Sequence, residues 1–160
     1  MIFNETQVWK LYEDNLEQAK NKLEEIEVFC GNKANFSGLN GWVFEKTVLH
    51  CIKQELKEKN VSTKIEEQVS LGGRIKADLA VGQIAIELKT GGLFGKPDVE
   101  RYGRYRKAAK TAGYSRYVYL TWCETCSSYM QGLNLALDDN NVFYLEVPRE
   151  WERFISTLII

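Results

Sequence analysis

The stretch from Arg74 to Lys89, Arg-Ile-Lys-Ala-Asp-Leu-Ala-Val-Gly-Gln-Ile-Ala-Ile-Glu-Leu-Lys, constrains the fold more than any other part of the chain. It alternates, it is rich in β-formers, and a glycine lies near its middle, so it predicts a β-hairpin. A type II′ turn prefers glycine first, which puts Gly82-Gln83 at the tip. That choice sets the register: Val81 faces Ile84, Leu79 faces Ile86, and Asp78 falls opposite Glu87. Directly opposed residues of an antiparallel pair share a face, with Cβ atoms roughly 4.5–5.5 Å apart. One face then carries Lys76, Asp78, Ala80, Ala85, Glu87 and Lys89. The other carries Leu79, Val81, Ile84, Ile86 and Leu88, which is a core face.

Two carboxylates opposed at that distance repel unless a proton or cation sits between them. A hard divalent cation such as Mg²⁺ or Mn²⁺ takes oxygen ligands and retains waters for chemistry. A lysine alongside can orient a metal-bound water or neutralise developing negative charge. The plain alternative is an exposed hairpin with mixed surface charges; the sorting of side chains by face favours a site.

Asp78, Glu87 and Lys89 resemble the signature of the PD-(D/E)xK nuclease superfamily, with Ala77 standing where the motif has proline. Gly41-Trp42-Val43-Phe44-Glu45 is similar to the Gly-x-x-x-Glu lead-in to the helix ahead of the sheet in that superfamily. The resemblance spans roughly Gly41 to Thr121. The Gln-x-x-x-Tyr motif of the RecB-type branch is not matched; the corresponding spacing is Arg101-x-x-x-Tyr105. The resemblance implies a restriction-endonuclease-like fold and Mg²⁺-dependent phosphodiester hydrolysis of DNA, with Mn²⁺ able to substitute. It implies that Asp78, Glu87 and the Leu88 carbonyl hold the metal, that Glu45 completes the cluster or helps bind a second ion, and that Lys89 positions the attacking water. A chain this short has little room for a separate target-recognition domain. That points to a structure-selective or minimal restriction-type enzyme, and cutting both strands with one site per chain calls for a homodimer. The first helix or the apolar end Phe154 to Ile160 could supply the dimer contact. A non-catalytic nucleic-acid-binding or protein-interaction module on the same fold is the alternative.

The 160 residues suit a single domain, and 44% apolar with 27% charged residues excludes wholesale disorder. No apolar run approaches a membrane span of roughly 18–20 residues. The first residues lack a basic segment followed by an apolar one, so a cytoplasmic location is expected. Net charge is −1, but it is unevenly spread. Lys89 to Arg116 holds eight Lys or Arg against Asp98 and Glu100, while Met1 to Phe29 holds seven acids against three Lys. The basic stretch, with Lys96, Arg101, Arg104, Tyr105, Lys107 and Lys110, has a composition suited to phosphate contacts and stacking.

Apolar spacing predicts the remaining order. Asn4 caps a first amphipathic helix through Val8, Tyr12, Leu16, Ala19, Leu23 and Ile26. Asn40 caps a second, to about Lys59, with Glu45 one turn in. A strand at 63–70 precedes the hairpin arms at 74–81 and 83–89. Thr90 to Pro97 carries three glycines and should be mobile. Pro97 starts the basic helix, which Gly113 ends. A strand at 117–121, a helix at 127–137, a strand at 142–146 and a helix opened by Pro148 complete an α/β fold of about five strands. A strand, helix and strand in this order imply parallel neighbours joined by a right-handed crossover. The chain thus divides into an N-terminal helix (1–29), a catalytic core (41–121) and C-terminal helices with a strand (122–160). Gly91 to Lys96 falls short of a phosphate-binding loop. Cys123 and Cys126 lack a second pair for zinc, so the four cysteines, with Cys30 and Cys51, are expected to be reduced and mostly buried. His50, five residues after Glu45 on the second helix, is either merely packed or, given proximity to the acids, catalytic.

Overall fold

In the computed structural model the described residues are 1–33, 38–91, 93, 95–123 and 129–159. Strands β2 (Ile75–Val81) and β3 (Ile84–Lys89) form the expected hairpin, with Leu79 paired to Ile86, Ala80 to Ala85 and Val81 to Ile84. Gly82 has φ +57 and Gln83 does not share the positive φ, which is the asymmetry a II′ turn requires. Strand β1 (Ile65–Gly72) pairs antiparallel with β2. On the other side β3 runs parallel to β4 (Arg116–Thr121), and β4 parallel to β5 (Val142–Tyr144). The sheet is therefore mixed, in the order β1-β2-β3-β4-β5. Parallel neighbours need a crossover, and α3 (Lys96–Thr111) supplies it between β3 and β4.

Five α-helices are present among the described residues, and they cover both faces. On one face α1 (Glu5–Cys30), α2 (Leu39–Glu58) and α5 (Glu150–Leu158) bring Val8, Phe44, Ile52, Trp151 and Phe154 against Leu79, Ile86, Leu88, Val118 and Leu120. On the other, α3 and α4 (Tyr129–Leu137) pack Tyr102, Ala109, Met130 and Leu133 against Ala80, Ala85, Tyr117 and Tyr119. The expected core face of the hairpin is the first of these.

Helix α1 starts where the sequence predicts. Asn4 accepts from the Gln7 N–H while the Gln7 side chain accepts from the Asn4 N–H, a reciprocal capping box. Its apolar stripe is used only in part: Val8 and Tyr12 are buried, whereas Ile26, Val28 and Phe29 near its end are exposed. Helix α2 starts differently from expectation. Gly38, with φ +88, is its cap, and Asn40 already lies inside the first turn. The strand after α4 ends at Tyr144 rather than Glu146, and α5 begins two residues beyond Pro148.

Three expectations are corrected by packing. The apolar C-terminal end is consumed by the protein's own core: Phe154, Ile155 and Leu158 are buried there, so it is not free to join a second copy. Cys51 is buried, and desolvation pushes its thiol up to about 12, but Cys30 is exposed and Cys123 is disulfide-bonded. Cys126, Gly92 of the glycine-rich connection and residues 127–128 of the expected helix lie outside the described residues. His50 is exposed and lines a groove of about 390 Å³ between α1 and α2, so it is not a core packing residue. No helix among the described residues is long and apolar enough to cross a membrane.

Candidate functional site

The hairpin register carries Asp78, midway along β2, and Glu87, late in β3, to the point where the two strands stop exchanging ladder bonds. The paired residues end at Leu79 and Ile86. One step further the Asp78 carboxylate takes the place of the ladder: its Oδ2 accepts the Leu88 N–H at 2.8 Å. In an antiparallel pair the N–H and C=O of one residue point to the same neighbour, so the Leu88 carbonyl is also turned toward β2. The strict alternation of β2 fails at this point. Ala77 is buried in the same core as Ala80, on the side opposite Leu79. Across from Asp78, between the pairs Glu67–Leu79 and Val69–Ala77, stands Gln68 with φ +50. That left-handed backbone costs an L-residue roughly 1–2 kcal/mol.

Gln68 also has a side-chain role. Its Nε2 donates to Glu45 Oε1 at 2.8 Å, bringing the α2 carboxylate toward the hairpin. Beside it Lys46 pairs with Glu67, a second tie between the start of α2 and β1. Asp78 is close enough to act on the Glu45 carboxyl. Burial first, then Asp78, pushes the Glu45 carboxyl up to about 8.

Glu87 is nearly enclosed, at 6% exposure. Desolvation, followed by the Asp78 charge, raises its carboxyl to about 8 despite Lys89. Lys89 Nζ lies 3.7 Å from Glu87 Oε1, and the Tyr117 hydroxyl donates to Glu87 Oε2 at 3.4 Å. Burial pulls the Lys89 ammonium down, but Tyr102, Glu87 and Asp78 outweigh it and leave it raised. It is therefore a cation at neutral pH, held beside Tyr102. Behind this group Tyr102 and Tyr119 meet edge to face at 5.0 Å, and the Tyr119 hydroxyl is buried with no hydrogen-bond partner among the described residues. Burial keeps the Tyr117 and Tyr119 phenols protonated.

Glu45, Asp78, Glu87 and Lys89 thus lie within electrostatic reach of one another. Their charges do not balance: three carboxyls face one ammonium, and the balance is met by protons or by a cation. The chemistry of the donor set suits a hard divalent ion, since carboxylate and carbonyl oxygens are its preferred ligands. Among the described residues no three His, Cys, Asp or Glu converge as a ready-made cage. Mg²⁺ is commonly held by one or two carboxylates, with waters and substrate phosphate completing the octahedron.

The six residues expected to contact nucleic acid divide. Arg104, Lys107 and Lys110 are exposed and line one open groove beside α3. Lys96 stands exposed at the helix start, nearer the carboxylates. Arg101 is paired with Asp98 at 3.2 Å, and Tyr105 packs edge-on against Tyr102. These last two are tied up in the protein itself.

Gln68, Tyr102, Tyr117 and Tyr119 belong to the site and were not expected from the sequence. Tyr117-Val118-Tyr119 carries a visible period of two, but which β3 residue each tyrosine meets depends on a parallel register that no tight turn sets. In that register Glu87 lies beside Tyr119. Comparison with protein-family models, with curated proteins and with solved structures finds no match to this chain.

Proposed function

We propose that the chain is a metal-dependent nuclease that hydrolyses DNA phosphodiester bonds at the Asp78–Glu87–Lys89 end of the central hairpin. The observation that carries this reading is the charge imbalance there: three neighbouring carboxyls, two of them raised to about 8, against Lys89, since Lys46 beside Glu45 is already paired with Glu67. A binding surface for nucleic acid has no use for buried acids, which repel phosphate. A divalent ion turns the same acids into a phosphate site. In this reading Asp78, Glu87 and the Leu88 carbonyl hold Mg²⁺, with Glu45 completing the set or serving a second ion. When bound, the metal polarises the phosphate and lowers the proton affinity of its water.

The chain's own groups then have separate tasks. Lys89, kept cationic beside Tyr102 and Glu87, orients the attacking water and offsets charge on the phosphate. Tyr117 holds Glu87 by its hydroxyl, and Gln68 holds Glu45. Lys96 and the exposed cations of α3 anchor the backbone on either side of the scissile bond. A homodimer would bring two such sites to one duplex; the exposed Ile26, Val28 and Phe29 of α1 offer apolar surface for it.

The test is cleavage with Mg²⁺ of supercoiled plasmid, linear duplex, single strand, flap and four-way junction. At least one should be cut, and Lys89→Ala should lower the rate by on the order of 10² or more. Titration with Mn²⁺ should show a site that Asp78→Asn abolishes. Cleavage of none of the substrates, together with Mn²⁺ binding indifferent to Asp78, would overturn the proposal. Lys89→Ala cutting at the wild-type rate would overturn the task given to that residue.

A further inference from the structure

A large concavity among the described residues lies away from the carboxylates. It is an open trough of about 1410 Å³ between α3, the start of β4, the turn after α4, and α5. Clefts for small ligands run to roughly 300–1,000 Å³ and are mostly apolar. This one is larger, and its walls carry Arg104, Arg106, Lys107, Lys110, Arg116 and Arg153, opposed only by the acids Glu100 and Asp138.

The cations are of two kinds. Arg106 is held by Asp138 and the Ala136 carbonyl, and Arg153 by Glu150 and the Val142 carbonyl. Those two are fixed in place by their partners. Arg116 is fixed as firmly, by Asn141 Oδ1 at 2.9 Å and the Asn140 carbonyl at 2.6 Å, but both acceptors are neutral. Its charge is therefore positioned and left uncompensated. Desolvation and the neighbouring Arg153 both lower the proton affinity of Arg116. Arg104, Lys107 and Lys110 are exposed on the opposite wall, and none of the described carboxylates pairs with them.

Topology sets the distance from the candidate metal centre. Helix α3 returns from the end of β3 to the beginning of β4, so its last turn lies at the far end of the sheet. Arg116 pairs with Ile84, five residues before Lys89, which is about 17 Å along the strand. The trough thus follows α3 from Glu100 to Lys110, with cations on both walls.

We propose that this trough is a second, metal-independent binding site that takes the sugar-phosphate backbone of a nucleic-acid strand. Its size, openness to solvent and six lining cations suit an extended polyanion better than a single small anion. Arg116 and Arg106 supply fixed guanidiniums for phosphate oxygens, and Lys107 and Lys110 supply adjustable ammonium groups. The choice of a nucleic-acid strand as the polyanion rests on the proposed nuclease activity; the trough itself does not. Its task would be to hold the strand flanking the cut, and so to set how much substrate must extend beyond the scissile bond.

The experiment is fluorescence anisotropy of a labelled 20-nucleotide single strand and the matching duplex, in chelator, where no cleavage occurs. The double variant Lys107→Glu/Lys110→Glu changes two exposed side chains, and Arg116→Gln removes the fixed charge. The double variant should weaken binding at least tenfold and lower the salt slope by about 2. Arg116→Gln should weaken it by a smaller factor, and Asp78→Asn should not weaken it. Wild-type affinity in the double variant would overturn the proposal, even if Arg116→Gln failed to fold. Equal competition by inorganic phosphate or by an acidic peptide of matched charge would also overturn it, by showing an unselective anion surface. Binding that follows these expectations without cleavage of any substrate would sink the nuclease reading and leave the trough standing.

Discussion

Glu87 works against the fold whenever it is ionised. Its unfolded value is about 4.3, and burial with Asp78 nearby raises it to about 8 in the native chain. Between those values the native state binds more protons than the unfolded chain. Stability is therefore fully present below the unfolded value and falls as pH rises toward 8. Glu45 shifts the same way. In chelator the urea midpoint should fall steadily from pH 5 to pH 8.5. Glu87→Gln, which carries no charge to bury, should flatten that fall and raise the midpoint at pH 8.5 while changing little at pH 5. A wild-type midpoint constant over this range would show that the acids are not crowded as described. Asp78, Glu87 and Lys89 were legible in the sequence because a period of two and a two-residue turn leave little freedom. Gln68 was not. Nothing in its side chain marks a left-handed backbone, which arises only when β1 and α2 are both in place around Asp78.

The elements show the same division. The hairpin could be placed because its tip is a two-residue turn with a glycine. Gly82→Ala tests that tip: φ is +57, and a Cβ would come within 3.0 Å of Thr63 Oγ1. The variant should lose about 1–2 kcal/mol in urea unfolding, with no change in the slope of the transition. A neutral result would mean that the turn relaxes to another type. The parallel half of the sheet was legible only as connectivity. The crossover through α3 makes β3 and β4 neighbours, yet the offset between them is decided by how α3 packs, with Tyr102 and Ala109 buried against the strands. For that reason the tyrosines behind Glu87 emerged only with the fold. The cap of α2 was misplaced for a related reason. Asn40 is a good capping residue, but Gly38 can turn the backbone through φ +88 two residues earlier.

At the scale of the whole molecule, one buried carboxylate joins three helices. Glu55 on α2 is fully buried, and its Oε1 accepts the Ile2 and Phe3 N–H groups at 3.0 and 2.8 Å and the Trp151 indole N–H at 3.3 Å. It ties the approach to α1, the body of α2 and the start of α5 around the first core. Glu55→Ala would strand these donors and open a cavity, at a cost of about 2–4 kcal/mol, read as a lower thermal midpoint. Unchanged melting would mean that the three helices are held by apolar packing alone. The β2–β3 register has a wider consequence. Sliding one strand past the other by a single residue would turn Leu79, Val81, Ile84 and Ile86 out of the core, so no slipped hairpin could remain folded. Any variant that melts cooperatively has therefore kept the β2–β3 register, and with it the backbone positions of Asp78 and Glu87. Cooperative melting thus certifies where these two acids sit in the sheet before any other property of a variant is measured.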